Sequence, residues 1–329
     1  MNQNRLWRHI MIQKRVVGVV GLGHVGAHVA FCLGMMGVAD EILLCDIKEQ
    51  KVVSECQDLN DAAAFMPNHT VYRTVSYAGL KDCDIIVNAV GDISLCAGND
   101  RDAELGNSVR QVADYIPKVM AAGFNGIFVN ITNPCDVITH LIYTLSGLPK
   151  EHVIGTGTLL DSSRLVHEIC DATGLDPKGF FAFMIGEHGN SQMVPWSQIS
   201  FYGQTLDQMA KKDSRFVFDR DEMQAKAIKG AWVTYKGKQC TEYGVASAAA
   251  TLIRTILHDE KRIISCSVYL EGQYGAQGVY CGAPAVIGAN GVEEVLEYDL
   301  PEEEMKKFKS CIEVIHKNIE RSRTFLPKK

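Results

Sequence analysis

The stretch VVGVVGLGHVG, residues 16–26, decides the fold of the first half of this 329-residue chain. Residues 16–21 are nearly all apolar and rich in β-branched side chains, as a strand buried on both faces of a parallel sheet must be. The turn GLGHVG occupies residues 21–26, and residues 27–36 continue from it as a helix. A strand, a G-x-G-x-x-G turn and a helix in this order are typical of a dinucleotide-binding unit, while a glycine turn without a ligand remains the alternative.

The three glycines and the acid that follows them predict which cofactor would bind. Gly21 makes the tight turn, Gly23 lets the backbone approach a pyrophosphate, and Gly26 allows close packing of helix on strand. The N–H groups of the helix that begins there point at the phosphates. Asp46 ends the next strand, where a carboxylate can accept hydrogen bonds from both ribose hydroxyls and repels the additional phosphate of NADP. We therefore predict NAD as the cofactor; a turn-capping role for this aspartate is the alternative, and the nearby cation Lys48 keeps NADP open.

Short apolar runs and helical stretches alternate through the rest of the first half. This rhythm predicts an α/β fold with a Rossmann-type doubly wound parallel sheet. We assign residues 1–156 to an NAD-binding domain, with residues 1–13 as an N-terminal arm. The further predicted strands are residues 41–46, 84–90 and 126–132, and the predicted helices are residues 48–65 and 107–122.

The pattern changes after about residue 156, where strands become shorter, glycines more scattered and helical stretches longer. Residues 221–236 and 243–259 have helical spacing, and an amphipathic helix opens at Pro301. The first turn of that last helix is acidic and its end is basic, which complements the helix dipole. We predict that residues 157–329 form an α+β catalytic domain packed directly on the first domain.

Composition and charge argue against several classes of protein. The formal net charge is −6, so we expect no basic surface for nucleic acid or an anionic membrane, and no run reaches the ~18 apolar residues of a membrane span. The N-terminal stretch has no small-residue cleavage site, so we expect no signal peptide. The eleven cysteines are scattered without paired spacing, which predicts reduced thiols, no metal site and a cytoplasmic location.

Three residues of the second half suit the reduction of a ketone. Asp161 and Arg164 lie three apart in a helical stretch, so their side chains share one face, and His188 lies in the turn GEHGNS. Histidine can donate a proton to a nascent alkoxide near neutral pH, and a carboxylate can orient its ring. A guanidinium can hold a substrate carboxylate through two parallel hydrogen bonds. A surface ion pair and a loop histidine bonded to backbone are the alternatives.

Four motifs together resemble those of the lactate/malate dehydrogenase family. They are GLGHVG, ITNPCDVIT, VIGTGTLLDSSR and GEHGNS, in the family's order and spacing, and the resemblance covers residues 14–325. Within the family the chain is most similar to L-2-hydroxyisocaproate dehydrogenases, through GTGTLLD, GEHGNSQ and the loop that ends in NDRDAEL. The resemblance implies reversible hydride transfer between NADH and a small 2-oxo acid, and a homotetramer or homodimer.

The resemblance also implies roles for individual residues. His188 would be the acid/base, Asp161 its partner, and Arg164 the ligand of the substrate carboxylate. For Asn133, the alternative to a role in binding is that its side chain only caps a turn before Pro134. The remaining implied roles are those of Arg101 (polarising the substrate carbonyl from a mobile loop), Asn133 (binding the substrate oxygen and the cofactor), Thr156 (contact with the nicotinamide carboxamide) and Thr241 (lining the substrate pocket).

Departures from the family pattern bear on substrate and regulation. The active-site loop is about one residue longer than in typical lactate dehydrogenases, so the specificity position could be Ile93, Ser94 or Leu95. The loop carries Arg101 and no second arginine, so a dicarboxylate such as oxaloacetate would leave a buried charge unpaired. Lactate dehydrogenases that are activated by fructose 1,6-bisphosphate have an arginine two residues beyond the carboxylate-binding arginine. This chain has Val166 at that position, which argues against activation of this kind.

We therefore predict a 2-oxo monocarboxylic acid with a branched or apolar side chain, such as 4-methyl-2-oxopentanoate, as the substrate. An L-lactate dehydrogenase that favours pyruvate is the first alternative, because one methylene in an apolar pocket changes selectivity only ~10- to 200-fold. Malate dehydrogenase and a non-catalytic nicotinamide-binding protein are further alternatives. A non-catalytic protein would be expected to lack at least one of the catalytic and substrate-binding residues. All four are present: Arg101, Asp161, Arg164 and His188.

Overall fold

The computed structural model describes residues 14–92, residue 95 and residues 104–326 of the chain. Strands and helices alternate through the first half, and all four strands predicted there are present, each slightly shorter than predicted. The elements of this half are β1 (Val16–Val20), α1 (His24–Met35), β2 (Glu41–Cys45), α2 (Glu49–Ala63), β3 (Val71–Thr74), β4 (Ile85–Asn88), α3 (Leu105–Ala121), β5 (Ile127–Asn130), α4 (Cys135–Ser146) and β6 (Val153–Gly155).

Six parallel strands are hydrogen-bonded in the order β6-β5-β4-β1-β2-β3. From β1 the chain builds outward to β2 and β3, then returns and continues outward from β4 on the other side of β1. The strand order therefore reverses between β1 and β4, and ligands of open α/β sheets bind outside the carboxyl ends of the strands at such a point. The predicted doubly wound sheet is confirmed, and its crevice lies beside the turn 21–26.

The second half supplies long helices and an antiparallel extension of the sheet. The helices predicted at 221–236, at 243–259 and after Pro301 are all present. The elements are α5 (Thr158–Thr173), β7 (Ser200–Phe201), β8 (Gln204–Thr205), α6 (Leu206–Ala210), α7 (Arg220–Lys238), α8 (Tyr243–Leu257), β9 (Arg262–Glu271), β10 (Gln277–Gly288), β11 (Gly291–Val295) and α9 (Glu302–Arg323).

The prediction that strands become shorter in the second half is wrong. β9 and β10 have 10 and 12 residues and are the longest of the described strands. They pair antiparallel with each other and join β6 through Gly155 and Ser267, so the sheet continues from the first half into the second. The glycines that suggested irregular structure allow close approach instead, because a Cβ on Gly282 would lie 2.5 Å from Thr158 Oγ1.

Strand β3, at the edge of the sheet, was not predicted from the sequence. Its last two residues, Arg73 and Thr74, are exposed, so the stretch lacks the continuous apolar run that marks β4 and β5. Those inner strands are buried at every position, because helices cover both faces of a parallel sheet. The described chain contains no helix that is both long enough and apolar enough to cross a membrane.

Candidate active site

The turn 21–26 has the three features that a pyrophosphate-binding turn requires. Gly21 has a φ of +93°, and a Cβ there would lie 2.6 Å from Ala89 O. A Cβ on Gly26 would lie 1.9 Å from Gly21 O, so this glycine lets α1 pack against the turn. A Cβ on Gly23 would meet no described atom within 4 Å, so its backbone faces open space. No described side chain caps the N-terminus of α1, and the turn therefore fits the phosphates of a dinucleotide.

Asp46 lies directly after β2 and is hydrogen-bonded to this turn. Its Oδ2 accepts from Leu22 N at 2.6 Å, and its Oδ1 accepts from Lys48 N at 2.8 Å. The carboxylate therefore holds the glycine-rich turn against the end of β2, as the turn-capping alternative requires. It is only partly buried, so this position is also compatible with contact to a ribose.

Asp161 joins the imidazole of His188 to the guanidinium of Arg164. Its Oδ2 lies 2.5 Å from His188 Nδ1, and its Oδ1 accepts from Arg164 Nη1 at 2.7 Å. Asp161 is fully buried, whereas the side chains of Arg164 and His188 are 15% and 12% exposed. The pair is therefore no surface ion pair, and it shares its carboxylate with a histidine from another part of the chain.

The start of α5 positions the carboxylate and the guanidinium. Gly157 has a φ of +47°, and a Cβ there would lie 2.7 Å from Ser267 N, so a glycine is required between β6 and α5. Asp161 lies in the first turn of α5 and Arg164 lies three residues later, on the same face. Because α5 begins just after β6, the helix itself holds both side chains near the carboxyl end of β6.

The loop that presents His188 is fastened at both ends. Ile185 bridges to Met193, which closes the loop on itself, and Gly186 bridges to Gly282 of β10. His188 therefore lies in a short loop whose conformation is constrained by these two β-bridges. Its ring is therefore brought to Asp161 by backbone pairing.

Asp136 is a site residue that the sequence analysis missed. Its Oδ2 accepts from His188 N at 2.7 Å, and its Oδ1 accepts from Ser267 Oγ at 2.6 Å. Burial raises the pKa of the Asp136 carboxyl to about 6, although both of these hydrogen bonds favour the ionised form. The residue thereby connects α4 and β9 to the backbone of His188. Its signal in the sequence is weak, because an acid in the first turn of a helix is ordinarily explained by the helix dipole.

Asn133 and Thr156 lie at the same edge of the sheet. Asn133 follows β5, is half-buried, and is joined to Pro134 by a cis peptide bond. Thr156 follows β6, is buried, and donates its N–H to Asn130 O at 2.9 Å. Because β5 and β6 are parallel neighbours, their carboxyl ends bring these two residues to the same edge of the sheet as the switch point between β1 and β4.

Thr241 precedes a helix of the second half of the chain. It lies two residues before α8 and is half-buried. The beginning of α8 runs close to the first turn of α5, since a Cβ on Gly244 would lie 2.8 Å from Leu160 Cδ1. The hydrogen bonds among described residues do not join Thr241, Asn133 or Thr156 directly to His188.

The predicted substrate loop is only partly described. Leu95 is described and is 43% exposed. The flanks of the loop are joined, because Asp92 N donates to Oε1 of the buried Glu104 at 2.5 Å. These flanks follow β4, so the loop arises at the same edge of the sheet as the rest of the site. Three predicted site residues lie outside the described residues, and their roles stay predictions: Arg101, Ile93 and Ser94.

The arrangement of His188, Asp161 and Arg164 can exchange a proton beside a bound anion. Asp161 faces Nδ1 of His188, so it orients the ring, stabilises an imidazolium, and leaves Nε2 as the nitrogen that can meet a ligand. Arg164 adds a permanent positive charge with a planar donor fork suited to a carboxylate. Together these groups suit the reduction of the carbonyl group of an organic acid.

Comparison with known proteins identifies the family. Residues 15–155 match the NAD binding domain of lactate/malate dehydrogenase, and residues 158–326 match the alpha/beta C-terminal domain of lactate/malate dehydrogenase. The chain belongs to the lactate/malate dehydrogenase family. The resemblance stated from the four motifs is thereby confirmed.

Two curated relatives match this chain over nearly their whole length. L-lactate dehydrogenase of Fusobacterium nucleatum is 40% identical over 317 residues, which cover 96% of this chain and 99% of the relative. L-lactate dehydrogenase 1 of Bifidobacterium longum is 38% identical, with coverage of 94% and 99%.

Solved structures of the family have the same fold. A lactate dehydrogenase from a Medee basin deep-sea metagenome library superimposes with a TM-score of 0.90 at 29% identity, covering 95% of this chain and 100% of the other. The minor L-lactate dehydrogenase of Enterococcus mundtii, in its ligand-bound form, gives 0.88 at 28% identity, with coverage of 94% and 98%. This dehydrogenase is therefore an NAD-dependent oxidoreductase acting on 2-hydroxy acids, and the predictions of fold, enzyme class and cofactor are confirmed.

Proposed function

We propose that this dehydrogenase is an L-lactate dehydrogenase, which reduces pyruvate with NADH and a proton and oxidises L-lactate in reverse. The observation that carries the proposal is the buried carboxylate of Asp161, shared between His188 and Arg164. Two curated relatives named L-lactate dehydrogenase match the chain over almost all of its length, which supports the same proposal. The relatives support pyruvate better than the branched 2-oxo acid that was the main prediction from the sequence.

The roles of the central residues follow from their contacts. When bound, NADH supplies the hydride to the carbonyl carbon. His188 donates a proton from Nε2 to the carbonyl oxygen, and Asp161 stabilises the imidazolium before the transfer and keeps the ring in place after it. Arg164 holds the substrate carboxylate, and Asp136 acts as a positioning residue through its bond to His188 N.

The remaining roles rest on position in the fold. The glycines of the turn 21–26 hold the pyrophosphate and Asp46 the adenosine ribose, while Asn133 and Thr156 lie at the carboxyl ends of β5 and β6, where the nicotinamide and the substrate oxygen would be bound. Thr241 lines the substrate pocket from the start of α8. The role of Arg101, polarisation of the substrate carbonyl, rests on the family resemblance alone.

A panel of 2-oxo acids tests the substrate. We expect kcat/KM with NADH to be highest for pyruvate and lower for 4-methyl-2-oxopentanoate by up to about 10²-fold, because apolar pockets discriminate weakly. It should be lowest for oxaloacetate, because the loop has no second arginine to pair with the second carboxylate. NADPH in place of NADH is the matched cofactor control and should give the lower rate, because Asp46 repels its 2′-phosphate.

The same panel distinguishes the second candidate. The apolar loop residues Ile93 and Leu95 and the lone Arg101 favour an L-2-hydroxyisocaproate dehydrogenase. A higher kcat/KM for 4-methyl-2-oxopentanoate than for pyruvate would establish that candidate and reject the first. Preference for oxaloacetate would contradict both.

The protein is further proposed to be a homotetramer or homodimer. Apolar side chains lie exposed on the outer faces of α1, α2 and α8 and mark a surface for association. Sedimentation equilibrium should give the mass of two or four chains; the mass of one chain would contradict this. The exposed fractions are 39% for Phe31, 41% for Met35, 55% for Val53, 90% for Phe65 just beyond α2, and 66% for Tyr243.

Two further predictions remain proposals. The cysteines in the described part of the chain are free thiols, which supports a reducing, cytoplasmic compartment; cell fractionation that finds the enzyme outside the cytoplasm would contradict it.

The division into domains after residue 156 is supported by the change from parallel to antiparallel pairing beyond β6.

A further inference from the structure

A histidine, a cysteine and a glutamate converge beside the glycine-rich turn. His24 Nδ1 lies 3.0 Å from Glu242 Oε1, and Cys240 Sγ lies 3.1 Å from the same oxygen. One ligand atom from each of the three residues can be chosen so that all lie within 4.8 Å of one another. The thiol and the carboxylate are buried, and the imidazole is 71% exposed, so solvent has access to the cluster from one side.

These separations fit the coordination shell of a zinc ion. Zinc binds His nitrogen and carboxylate oxygen at about 2.0–2.1 Å and cysteine sulfur at about 2.3 Å, so neighbouring ligands of a tetrahedral ion lie roughly 3.3–3.5 Å apart. The observed distances from Glu242 Oε1 are 3.0 and 3.1 Å. Outward shifts of a few tenths of an ångström would therefore admit the ion. A mixed nitrogen, sulfur and oxygen set favours zinc over magnesium or calcium, which prefer oxygen alone.

The backbone presents the three side chains from well-defined elements. His24 is the first residue of α1, directly after Gly23. Cys240 and Glu242 flank Thr241 in the short connection from α7 to α8, which follows a left-handed Gln239 with φ +70°. The helices α1 and α8 pack against each other, and this packing brings residues from opposite halves of the chain together.

Charge within the cluster suits a divalent ion. Lys238 forms an ion pair with Oε2 of Glu242, while Oε1 faces the thiol and the imidazole. A zinc ion would occupy the side of the carboxylate on which Cys240 and His24 converge, and Lys238 would keep the other oxygen. A thiolate and a carboxylate together match the two charges of zinc, and three protein ligands leave a fourth position for solvent.

We propose that His24, Cys240 and Glu242 bind one zinc ion, with water as the fourth ligand. The ion joins the first turn of the cofactor-binding helix to the segment that carries Thr241. No metal site was predicted from the sequence, because the cysteines lack paired spacing. This cluster has one cysteine and depends on a histidine from the other half of the chain. The proposal is independent of which 2-oxo acid the enzyme reduces.

Cobalt titration of the full chain tests the site without reference to activity. Co²⁺ replaces Zn²⁺ in such sites, and we expect one equivalent to produce visible bands of tetrahedral intensity together with a near-ultraviolet band from the cobalt–thiolate bond. Added Zn²⁺ should abolish both sets of bands by displacing the cobalt.

Variants assign the ligands. Cys240→Ser should lose the thiolate band, and His24→Asn, at an exposed position where folding is not at risk, should weaken cobalt binding by at least about 10-fold. Cys170→Ser is the matched control, because Cys170 is a partly exposed thiol on α5 outside the cluster, and it should bind cobalt like the unaltered protein. Circular dichroism checks that each variant is folded.

Two results would overturn the proposal. One is a thiolate band that survives Cys240→Ser or disappears in Cys170→Ser, which places the metal on another cysteine. The other is cobalt binding that is absent in the unaltered protein or is unchanged by His24→Asn, which leaves the cluster as a hydrogen-bonded contact between helices.

Discussion

Replacing His188 by Gln is expected to lower kcat for pyruvate reduction by about 10²- to 10⁴-fold, the range of a lost general acid. Glutamine is similar in size and keeps an amide that can donate to Asp161, but it cannot supply a proton. NADH binding should be unchanged, because the proposed ligands of its pyrophosphate and adenosine ribose are the glycine-rich turn and Asp46, which the substitution does not alter. Stopped-flow single turnovers measure the first effect, and fluorescence titration with NADH measures the second.

The matched control for this variant is His167→Gln. His167 lies on α5 near the site in sequence, but its side chain is 72% exposed and pairs with Asp171 at the surface. We expect kcat of this control to stay within about twofold of the unaltered enzyme, since exposed ion pairs contribute little. A His188 variant as active as this control would remove His188 from the chemistry, and a variant that no longer binds NADH would show a structural defect instead.

The first βα unit was predictable because its signals are local. Residues 16–26 combine a strand buried on both faces with glycines that the turn requires, and the structure confirms a positive φ at Gly21 and close packing at Gly26. Asp161 and Arg164 were predictable as neighbours for the same reason, because helix geometry alone places residues three apart on one face. That His188 joins them depended on chemical reasoning and on the resemblance, since nothing local connects residue 188 to residue 161.

The features that were missed depend on tertiary structure. β10 contains glycines that suggest breaks in isolation, and only the contacts with Thr158 of α5 and with the backbone of Gly186 explain why Gly282 must lack a side chain. Asp136 of α4 supports the backbone of His188, a contact between residues far apart in the chain. The cluster of His24, Cys240 and Glu242 likewise forms only when α1 and α8 pack together.

Replacing Arg164 by Gln is expected to lower kcat/KM for pyruvate by about 10²- to 10³-fold, with most of the change in KM. Truncating one partner of a buried, hydrogen-bonded charge pair is worth roughly 2–5 kcal/mol, and each 1.4 kcal/mol is about tenfold. The guanidinium is 15% exposed and lies 2.7 Å from Asp161 Oδ1, so part of the loss would come from a less well oriented Asp161. Steady-state kinetics over a wide range of pyruvate concentration separate KM from kcat.

A neutral substrate isolates the contact between Arg164 and the carboxylate from every other effect of the substitution. Methyl pyruvate keeps the ketone but carries no charge, so the unaltered enzyme should prefer pyruvate strongly, and Arg164→Gln should lose most of that preference. The control Arg215→Gln removes an arginine that pairs with Asp213 at the surface, and its preference should equal that of the unaltered enzyme. If Arg164→Gln slows both substrates by the same factor, the arginine acts through Asp161 and the substrate carboxylate is bound elsewhere, because a group that recognises a charge must distinguish an anion from its ester.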